Sequence, residues 1–324
     1  MYHVIVNPAS KTGKGKKLWA ELEPVLVDKG VDYKVVFSKK AGHVIKLVRD
    51  LAGYTLAQSP DAVLNLIVLG GDGTLNETLQ GISDFSKVRI GYIPTGSSND
   101  MARDLGLSTD PVICLNNILS CTHPTLMDIG CVKYNNSSSE LSRSHEEELM
   151  TQRYFGVSCG IGYDAAVCEE ALSSPIKKSL NRIGLGKLAY LFIALKQLLG
   201  TKEHSAVITL KNDKKVMLPN FLFAAAMIHQ FEGGGFKFCP NADYHDGLLD
   251  IIAVSGVSKA LVLRALPQAM KGNHFKYKGI ERYLAKELKI ETSVPCWVHT
   301  DGEVTMKSNS ITITCAKEKI QILK

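Results

Sequence analysis

Three stretches of the sequence set small, hydroxylic, amide and carboxylate residues at the ends of apolar runs, where backbone N–H groups can gather around an anion. "LNLIVLGGDGTLNET", Leu64 to Thr78, passes from a short apolar run through Gly70, Gly71, Asp72 and Gly73 into a stretch carrying Thr74, Asn76 and Glu77. Glycine lets the backbone take positive φ and approach a ligand, and the start of the following helix favours negative charge. Phosphate suits such a place, yet Asp72 would repel it unless a divalent cation lay between them. The loop reads as a site for phosphate plus Mg²⁺, or as a strand-to-helix turn in which Asp72 caps the helix. "NPASKTGKGKK" begins with Asn7, Pro8, Ala9, Ser10 and Lys11 and adds two glycines and three lysines. It is a second phosphate-friendly loop or a basic surface loop. "IPTGSSNDMARDLG" brings Gly96, Ser97, Ser98, Asn99 and Asp100 to another helix start, where they can cap the helix and also offer donors to phosphate or ribose.

Strands must deliver these loops to one edge. "YHVIVN", "DYKVVFS", "LNLIVLG" and "RIGYIP" read as strands of a parallel sheet. Helices are expected near Leu18 to Lys29, His43 to Ala52, Leu75 to Ile82, Asn99 to Leu105 and in "VICLNNILSC". In a doubly wound sheet the loops after successive strands project from the carboxyl edge, where such folds bind ligands. From about Thr125 the pattern changes to longer strands and turns, which predicts an antiparallel, sandwich-like second part. The expected division is a nucleotide-binding α/β domain over 1–124, to which 310–324 can return, and a β-sandwich substrate domain over 125–309. Within the second part, Asn135 to Gln152 reads as an exposed loop and "HQFEGGGFKFCP" as a flexible connection that gates an acceptor or joins two strands. Leu180 to Gly200 reads as the one long helix of that part. It is apolar, with Lys177, Lys178, Lys187, Lys196 and Lys202 around it, and it either covers the sandwich or faces a membrane.

The chain has 324 residues, an apolar fraction of 45% and a net charge of +6, enough for two soluble cores and too little charge to argue for nucleic acid. It favours an anionic partner such as phosphate or acidic lipid. No signal-like N-terminus and no run of eighteen apolar residues is present, so the protein is expected in the cytoplasm. The eight scattered cysteines lack metal-like spacing and read as reduced structural thiols.

Taken in order, the three loops resemble the nucleotide-binding motifs of the diacylglycerol-kinase-type catalytic domain, shared by bacterial lipid kinases, diacylglycerol kinases, sphingosine kinases and ceramide kinases. The likeness covers nearly the whole chain. Asn7-Pro8-Ala9-Ser10, Gly70-Gly71-Asp72-Gly73-Thr74-Leu75-Asn76-Glu77 and Pro94-Thr95-Gly96-Ser97-Ser98-Asn99-Asp100 carry it. Lys11 stands where that family usually has Gly, and Ser97 where it usually has Thr; both keep polar or backbone function. The resemblance implies a NAD-kinase/diacylglycerol-kinase-like α/β domain with a parallel doubly wound sheet, followed by a mainly antiparallel β-sandwich. It implies that the three loops bind ATP and Mg²⁺, with Ser38 at a nucleotide-contacting position usually held by Thr.

The same resemblance gives meaning to two segments that otherwise read as turns. In "CPNADYHDGLLDI" it implies a structural Mg²⁺ on Asp243, Asp246 and the Leu248 carbonyl. In "VHTDGEV" it implies a catalytic acidic motif, Asp301-Gly302-Glu303, with Glu303 accepting the hydroxyl proton and Asp301 supporting it, or the two reversed. Asp72 would organise the catalytic Mg²⁺. The implied activity is ATP-dependent phosphorylation of a lipid hydroxyl, first of all diacylglycerol, at an anionic membrane surface; a homodimer is compatible with it. Two other readings stand beside this one: a NAD kinase, which shares the Gly-Gly-Asp-Gly loop, and a nucleotide-binding regulator without catalysis. The Asn-Pro start, the Pro-Thr-Gly-Ser-Ser-Asn-Asp loop and the Asp-Gly-Glu segment speak against the first, and intact Asp72, Asp301 and Glu303 against the second.

Overall fold

A computed structural model describes residues 1–135, 137–141, 151–174, 186–202 and 204–324. The chain divides into two compact units, Met1–Ile129 with Ala316–Lys324, and Gly130–Cys315.

The first unit is a parallel sheet. Strands β1 (Tyr2–Val6), β2 (Tyr33–Phe37), β3 (Leu64–Gly70) and β4 (Val88–Pro94) lie in the order β2-β1-β3-β4, and the last residues of β15 (Glu303–Leu323) add parallel to β4. The apolar runs of β1 and β3 are buried, as strands covered on both faces require. Val6 pairs with Leu69 and Gly70 with Pro94, so β1, β3 and β4 end level and their following loops leave from the same edge. Helices α2 (Gly15–Asp28) and α6 (Pro111–Ser120) cover one face, where Leu18, Trp19, Leu22, Leu115 and Ile118 join Val6, Ile67 and Ile93. Elsewhere α3 (His43–Gln58) packs on α4 (Asp72–Gly81), so closely that a Cβ on Gly81 would lie 2.7 Å from Val48 Cβ. Two short helices, α1 (Ser10–Gly13) and α5 (Asp100–Asp104), follow β1 and β4. Helix α3 runs past the expected stop at Ala52, because one interior glycine costs only about 1 kcal/mol and the breaker is the later Ser59-Pro60.

The second unit is a β-sandwich. Strand β5 (Thr125–Tyr134) leads into it, and β6 (Ser137–Leu141) forms inside the stretch expected to be loop, pairing with β15. The rest of that stretch, residues 136 and 142–150, lies outside the described residues. The expected single strand over Gln152 to Gly162 is two, β7 (Gln152–Phe155) and β8 (Ser158–Gly162). Conversely, "AKELKIET" and "CWVHT" belong to one long strand, β14 (Glu287–Thr300). Its first half pairs with β9 (Ala206–Leu210) and its second half with β8, the pairing changing around Pro295, which cannot donate to a ladder. Strand β10 (Lys215–Leu218) flanks β9, while β11 (Phe221–Met227), β12 (Leu249–Ser255) and β13 (Ile280–Ala285) extend the sheet beyond β8. Two helices absent from the sequence reading, α7 (Tyr163–Ser173) and Lys259–Ala269, also belong here. Pro267 disguises the second, whose start is set by Ser258 Oγ accepting from Leu261 N–H.

The expected long helix is described over Gly186–Gly200; its expected first residues, Leu180 to Leu185, and the flanking Lys177 and Lys178 lie outside the described residues. It buries Ile193 and Leu198 but leaves Phe192 61% and Leu199 73% exposed, two turns apart on one side. No helix among the described residues is long and apolar enough to cross a membrane.

Candidate active site

In the first unit, side chains knit the loops after β1, β3 and β4 together. Asn7 Nδ2 donates to Thr74 Oγ1 at 2.9 Å, while Asn7 Oδ1 accepts from Ala9 N–H at 3.0 Å and Ser10 Oγ donates to the Asn7 carbonyl at 2.8 Å. Asp72 does not cap its own helix: Gly71 is the N-cap, and Asp72 Oδ2 accepts from Asn99 N–H at 2.8 Å. Asn99 sits at φ 50°, ψ 47°, a conformation asparagine tolerates better than most residues. Its amide closes on Gly96, Oδ1 accepting from Gly96 N–H and Nδ2 donating to Gly96 O, each at 2.9 Å. Thr95 N–H donates to Gly70 O at 2.8 Å, so the β3 and β4 loops are joined twice.

This arrangement leaves room only for glycine. A Cβ on Gly70 would lie 2.4 Å from Thr74 Cβ, and one on Gly96 would lie 2.9 Å from Gly71 Cα. The backbones of Gly71 and Gly96 approach closely beside the first turn of α4, and no side chain caps that helix. The Thr95 hydroxyl is buried with no hydrogen-bond partner among the described residues. Nearby Tyr92 is buried, and burial together with the Asp72 and Asp100 carboxylates pushes its phenol well above the ordinary tyrosine pKa. A glycine cradle, helix-start amides and a neighbouring carboxylate fit a phosphate with a divalent cation beside it. Gly71→Val places a branched side chain where a Cβ alone lies 3.1 Å from Gly96 Cα. It is expected to weaken Mg·ATP binding by about tenfold or more, read by titration of the folded variant; unchanged affinity would reject the cradle.

Other expected nucleotide residues occupy more structural places. Glu77 Oε1 and Oε2 accept from Gly42 and Val44 N–H at 2.7 and 3.1 Å, tying α4 to the start of α3. Asn76 is fully buried, with Oδ1 accepting from Gln80 within α4. Asp100 is buried and paired with Arg103 at 3.0 Å. Ser38 is buried just past β2, its N–H donating to Val6 O at 2.9 Å. Pro8 and Ser10 are half-buried and Ala9 exposed at the β1 edge, and Ser97 is exposed at the β4 edge. Gly73 lies in the first turn of α4 and Lys11 in α1.

In the second unit, Asp301 (φ 53°) and Gly302 (φ 82°) form the tight turn between β14 and β15, and Thr300 faces Glu303 across it. The Asp301 carboxylate is fully engaged. Oδ1 accepts from Val157 N–H at 2.8 Å and Ser158 N–H at 3.0 Å, and Oδ2 accepts from Gly156 N–H at 3.0 Å. This docking accounts for the break between β7 and β8. Glu303 is half-buried at the first position of β15.

Beneath the turn lies a cluster that the sequence reading missed. His299 is fully buried, and its Nε2 lies 3.2 Å from both Asp164 Oδ2 and Glu232 Oε1. Asp164 belongs to the first turn of α7. Glu232 closes the glycine loop, exchanging backbone hydrogen bonds with Phe236 at 2.9 and 3.0 Å. Gly233, Gly234 and Gly235 all take positive φ between them, so these glycines serve a left-handed run. The available signal was Gly160 inside β8: a Cβ there would lie 2.0 Å from Asp164 Oδ2 and 2.4 Å from His299 Nε2.

The third expected site is an exposed turn. Asp243 Oδ1 accepts from His245 N–H and Asp246 Oδ1 from Leu248 N–H, both at 2.9 Å. Asp250, salt-bridged to Arg282, has its carboxyl pKa raised, first by burial and further by both of these aspartates. Asp243 and Asp246 place two carboxylates on one short exposed segment, oxygen ligands of the kind a divalent cation takes, with the Leu248 carbonyl a further oxygen, while Asp250 is committed to Arg282.

Comparison with known proteins covers both units. Residues 1–132 match a family profile described as the diacylglycerol kinase catalytic domain, and residues 157–324 match the YegS C-terminal NAD kinase beta sandwich-like domain. A diacylglycerol kinase of Mycobacterium tuberculosis H37Rv is 26% identical over 287 residues, which is 89% of this chain and 84% of that protein. One from Staphylococcus saprophyticus is 26% identical over 306 residues, 93% and 88% of the two chains. A crystal structure of a diacylglycerol kinase from Bacillus anthracis superposes with a TM-score of 0.66 at 19% identity, covering 99% of this chain and 96% of that one. A NAD kinase from Archaeoglobus fulgidus in complex with ATP superposes at 0.51 with 12% identity, covering 100% and 94%. At these identities the two structures show a shared fold.

Proposed function

The chain belongs to the diacylglycerol kinase catalytic-domain family, and from that premise we propose that it is an ATP-dependent lipid kinase which transfers the γ-phosphoryl group to a lipid hydroxyl, with diacylglycerol as acceptor and phosphatidic acid as product. The observation that carries the reading is the Asp72–Asn99–Gly96 link, which holds a carboxylate beside a cradle of backbone amides. Asn7, Pro8, Ala9, Ser10 and Lys11 would line the β1 side of the nucleotide site, and Gly70, Gly71, Gly73, Thr74, Gly96, Ser97 and Asn99 the β3 and β4 sides. Asn76, Glu77, Asp100 and Ser38 support those loops from beneath. A bound Mg²⁺ would neutralise charge on the phosphates. Asp72 would hold that ion; Asp243, Asp246 and the Leu248 carbonyl would hold a structural one.

Glu303 accepts the proton of the acceptor hydroxyl as its oxygen attacks phosphorus and the bond to ADP breaks. The Asp301 carboxylate, already accepting three backbone hydrogen bonds, positions the turn. Exposed Phe192 and Leu199, with Lys196 and Lys202 near by in sequence, support a peripheral role at an anionic membrane surface. The NAD kinase reading keeps the shared Gly-Gly-Asp-Gly loop and the neighbour of similar fold as its support.

The test is γ-labelled ATP with Mg²⁺ and vesicles of phosphatidylcholine and phosphatidylglycerol, with and without diacylglycerol, and NAD in a parallel reaction. Labelled phosphatidic acid is the expected product, with vesicle binding that weakens as salt rises. Label on NAD alone would replace the proposal with the second reading, and label on another lipid would keep the kinase and change its acceptor.

A further inference from the structure

We propose that His299 is a positioning residue for the Asp301-Gly302 turn, holding it through Nδ1 while the Asp164 and Glu232 carboxylates fix the imidazole's tautomer from the other side. The inference rests on the kinase reading for what the turn does in catalysis; the hydrogen bonding itself stands apart from it.

Three elements meet at this imidazole. Helix α7 supplies Asp164, whose Oδ1 accepts from Ala165 N–H at 2.7 Å, leaving Oδ2 toward His299. The glycine loop supplies Glu232, and β14 supplies His299 itself, paired with Gly160 of β8. On the ring's far side Gly302 N–H points at Nδ1, 3.2 Å away. A nitrogen that accepts from an N–H carries no proton, so the ring proton belongs on Nε2, where two carboxylates can receive it. Asp164, Glu232 and His299 also offer three ligand atoms within 4.8 Å of one another, as a metal site would. A metal on Nε2 would move the proton to Nδ1 and set it against Gly302 N–H. The Gly302 bond therefore favours positioning over ligation.

The same carboxylates invite a second proton. Burial disfavours the imidazolium, but Glu232, Asp164 and Asp301 more than offset it and raise the pKa from 6.5 to about 9. The groups facing the ring are Asp164 from α7, Glu232 from the glycine loop and Asp301 from the turn. Protonation puts N–H on Nδ1 against Gly302 N–H and removes the acceptor that holds the turn. Since the folded pKa is the higher one, the attraction between imidazolium and carboxylates is complete below about pH 6.5 and lost as pH rises through about 9. Turn order changes the other way: it is gained as the folded ring deprotonates near pH 9, so turnover should climb around that pH.

The experiment uses the full chain labelled with ¹⁵N-histidine, the His299 signals being those that vanish in His299→Asn and in His299→Gln. Above its titration His299 should show Nε2 protonated and Nδ1 bare, and exchange protection of the Gly302 amide, corrected for its intrinsic pH dependence, should fall about tenfold as pH drops through that titration. The two variants separate the contacts. Asparagine places an oxygen near the Nδ1 position and cannot titrate, whereas glutamine reaches toward the carboxylates and leaves Gly302 N–H unpaired. Lipid-phosphorylating kcat in His299→Asn should exceed that in His299→Gln by about tenfold, and neither variant should keep the rise with pH. An Nδ1-protonated ring at every pH overturns the proposal, as does a rise with pH that survives in His299→Asn. Binding of Mn²⁺ or Zn²⁺ that only the wild type shows would make the three residues a metal site instead. A wild type that phosphorylates no lipid would reject the kinase reading, while tautomer and amide exchange would still decide this one.

Discussion

Asp72→Asn is expected to lower Mg-dependent phosphoryl transfer by at least about 10²-fold, the scale on which one charge stabiliser of a reacting phosphate is felt. The substitution is selective because the bond from Asn99 N–H runs to Asp72 Oδ2, and an asparagine oxygen can still accept it. The β3 and β4 loops should therefore stay joined, while the charge that would hold the cation is gone. The Mg²⁺ concentration for half-maximal rate should rise, and the melting temperature should stay near that of the wild type. Asn99→Ala is the complementary variant. It removes both side-chain bonds to Gly96 and puts alanine where φ is positive, so nucleotide affinity should fall with the charge at 72 intact. Equal metal dependence in Asp72→Asn and wild type would mean that the carboxylate serves only as the acceptor that pins Asn99.

The parallel sheet was legible because its signals are local. Apolar runs end in Asn7, Gly70 and Pro94, and each is followed by residues that stop one element and start another. That pattern placed the β1, β3 and β4 loops on one edge, where the level register of the strands sets them. It said less about which side chains in those loops serve the scaffold. Glu77 and Asn76 sit inside the motif but bind α3 and Gln80, because a helix turns successive side chains to different sides.

The sandwich was less legible because its pairings span the chain. No local pattern marks Phe155 as the end of a strand; the break is made by Asp301, far along the sequence, accepting the amides of Gly156, Val157 and Ser158. His299, Asp164 and Glu232 were hidden for the same reason, since each is unremarkable among its neighbours and it takes the pairing of β8 with both β14 and β11 to bring them together. Glycines carried the only trace, in β8 and after Glu232.

Glu303→Gln is expected to lower lipid phosphorylation by roughly 10²–10⁴-fold, the usual contribution of a positioned general base. Glutamine keeps the size and hydrogen-bonding capacity of the side chain at the start of β15, so Mg·ATP binding and thermal stability should be nearly unchanged. Asp301→Asn should behave differently. An aspartate there accepts three backbone N–H groups, whereas asparagine brings one acceptor oxygen and an NH₂ that must face one of those donors. That mismatch should cost about 1–3 kcal/mol of stability and displace the turn. A drop in kcat with Asp301→Asn should therefore accompany a lower melting temperature, and a drop with Glu303→Gln should not. The opposite pattern, a stable and inactive Asp301→Asn beside an active Glu303→Gln, would transfer the role of base to Asp301. Near wild-type turnover in both would reduce the Asp301-Gly302-Glu303 segment to a hairpin turn.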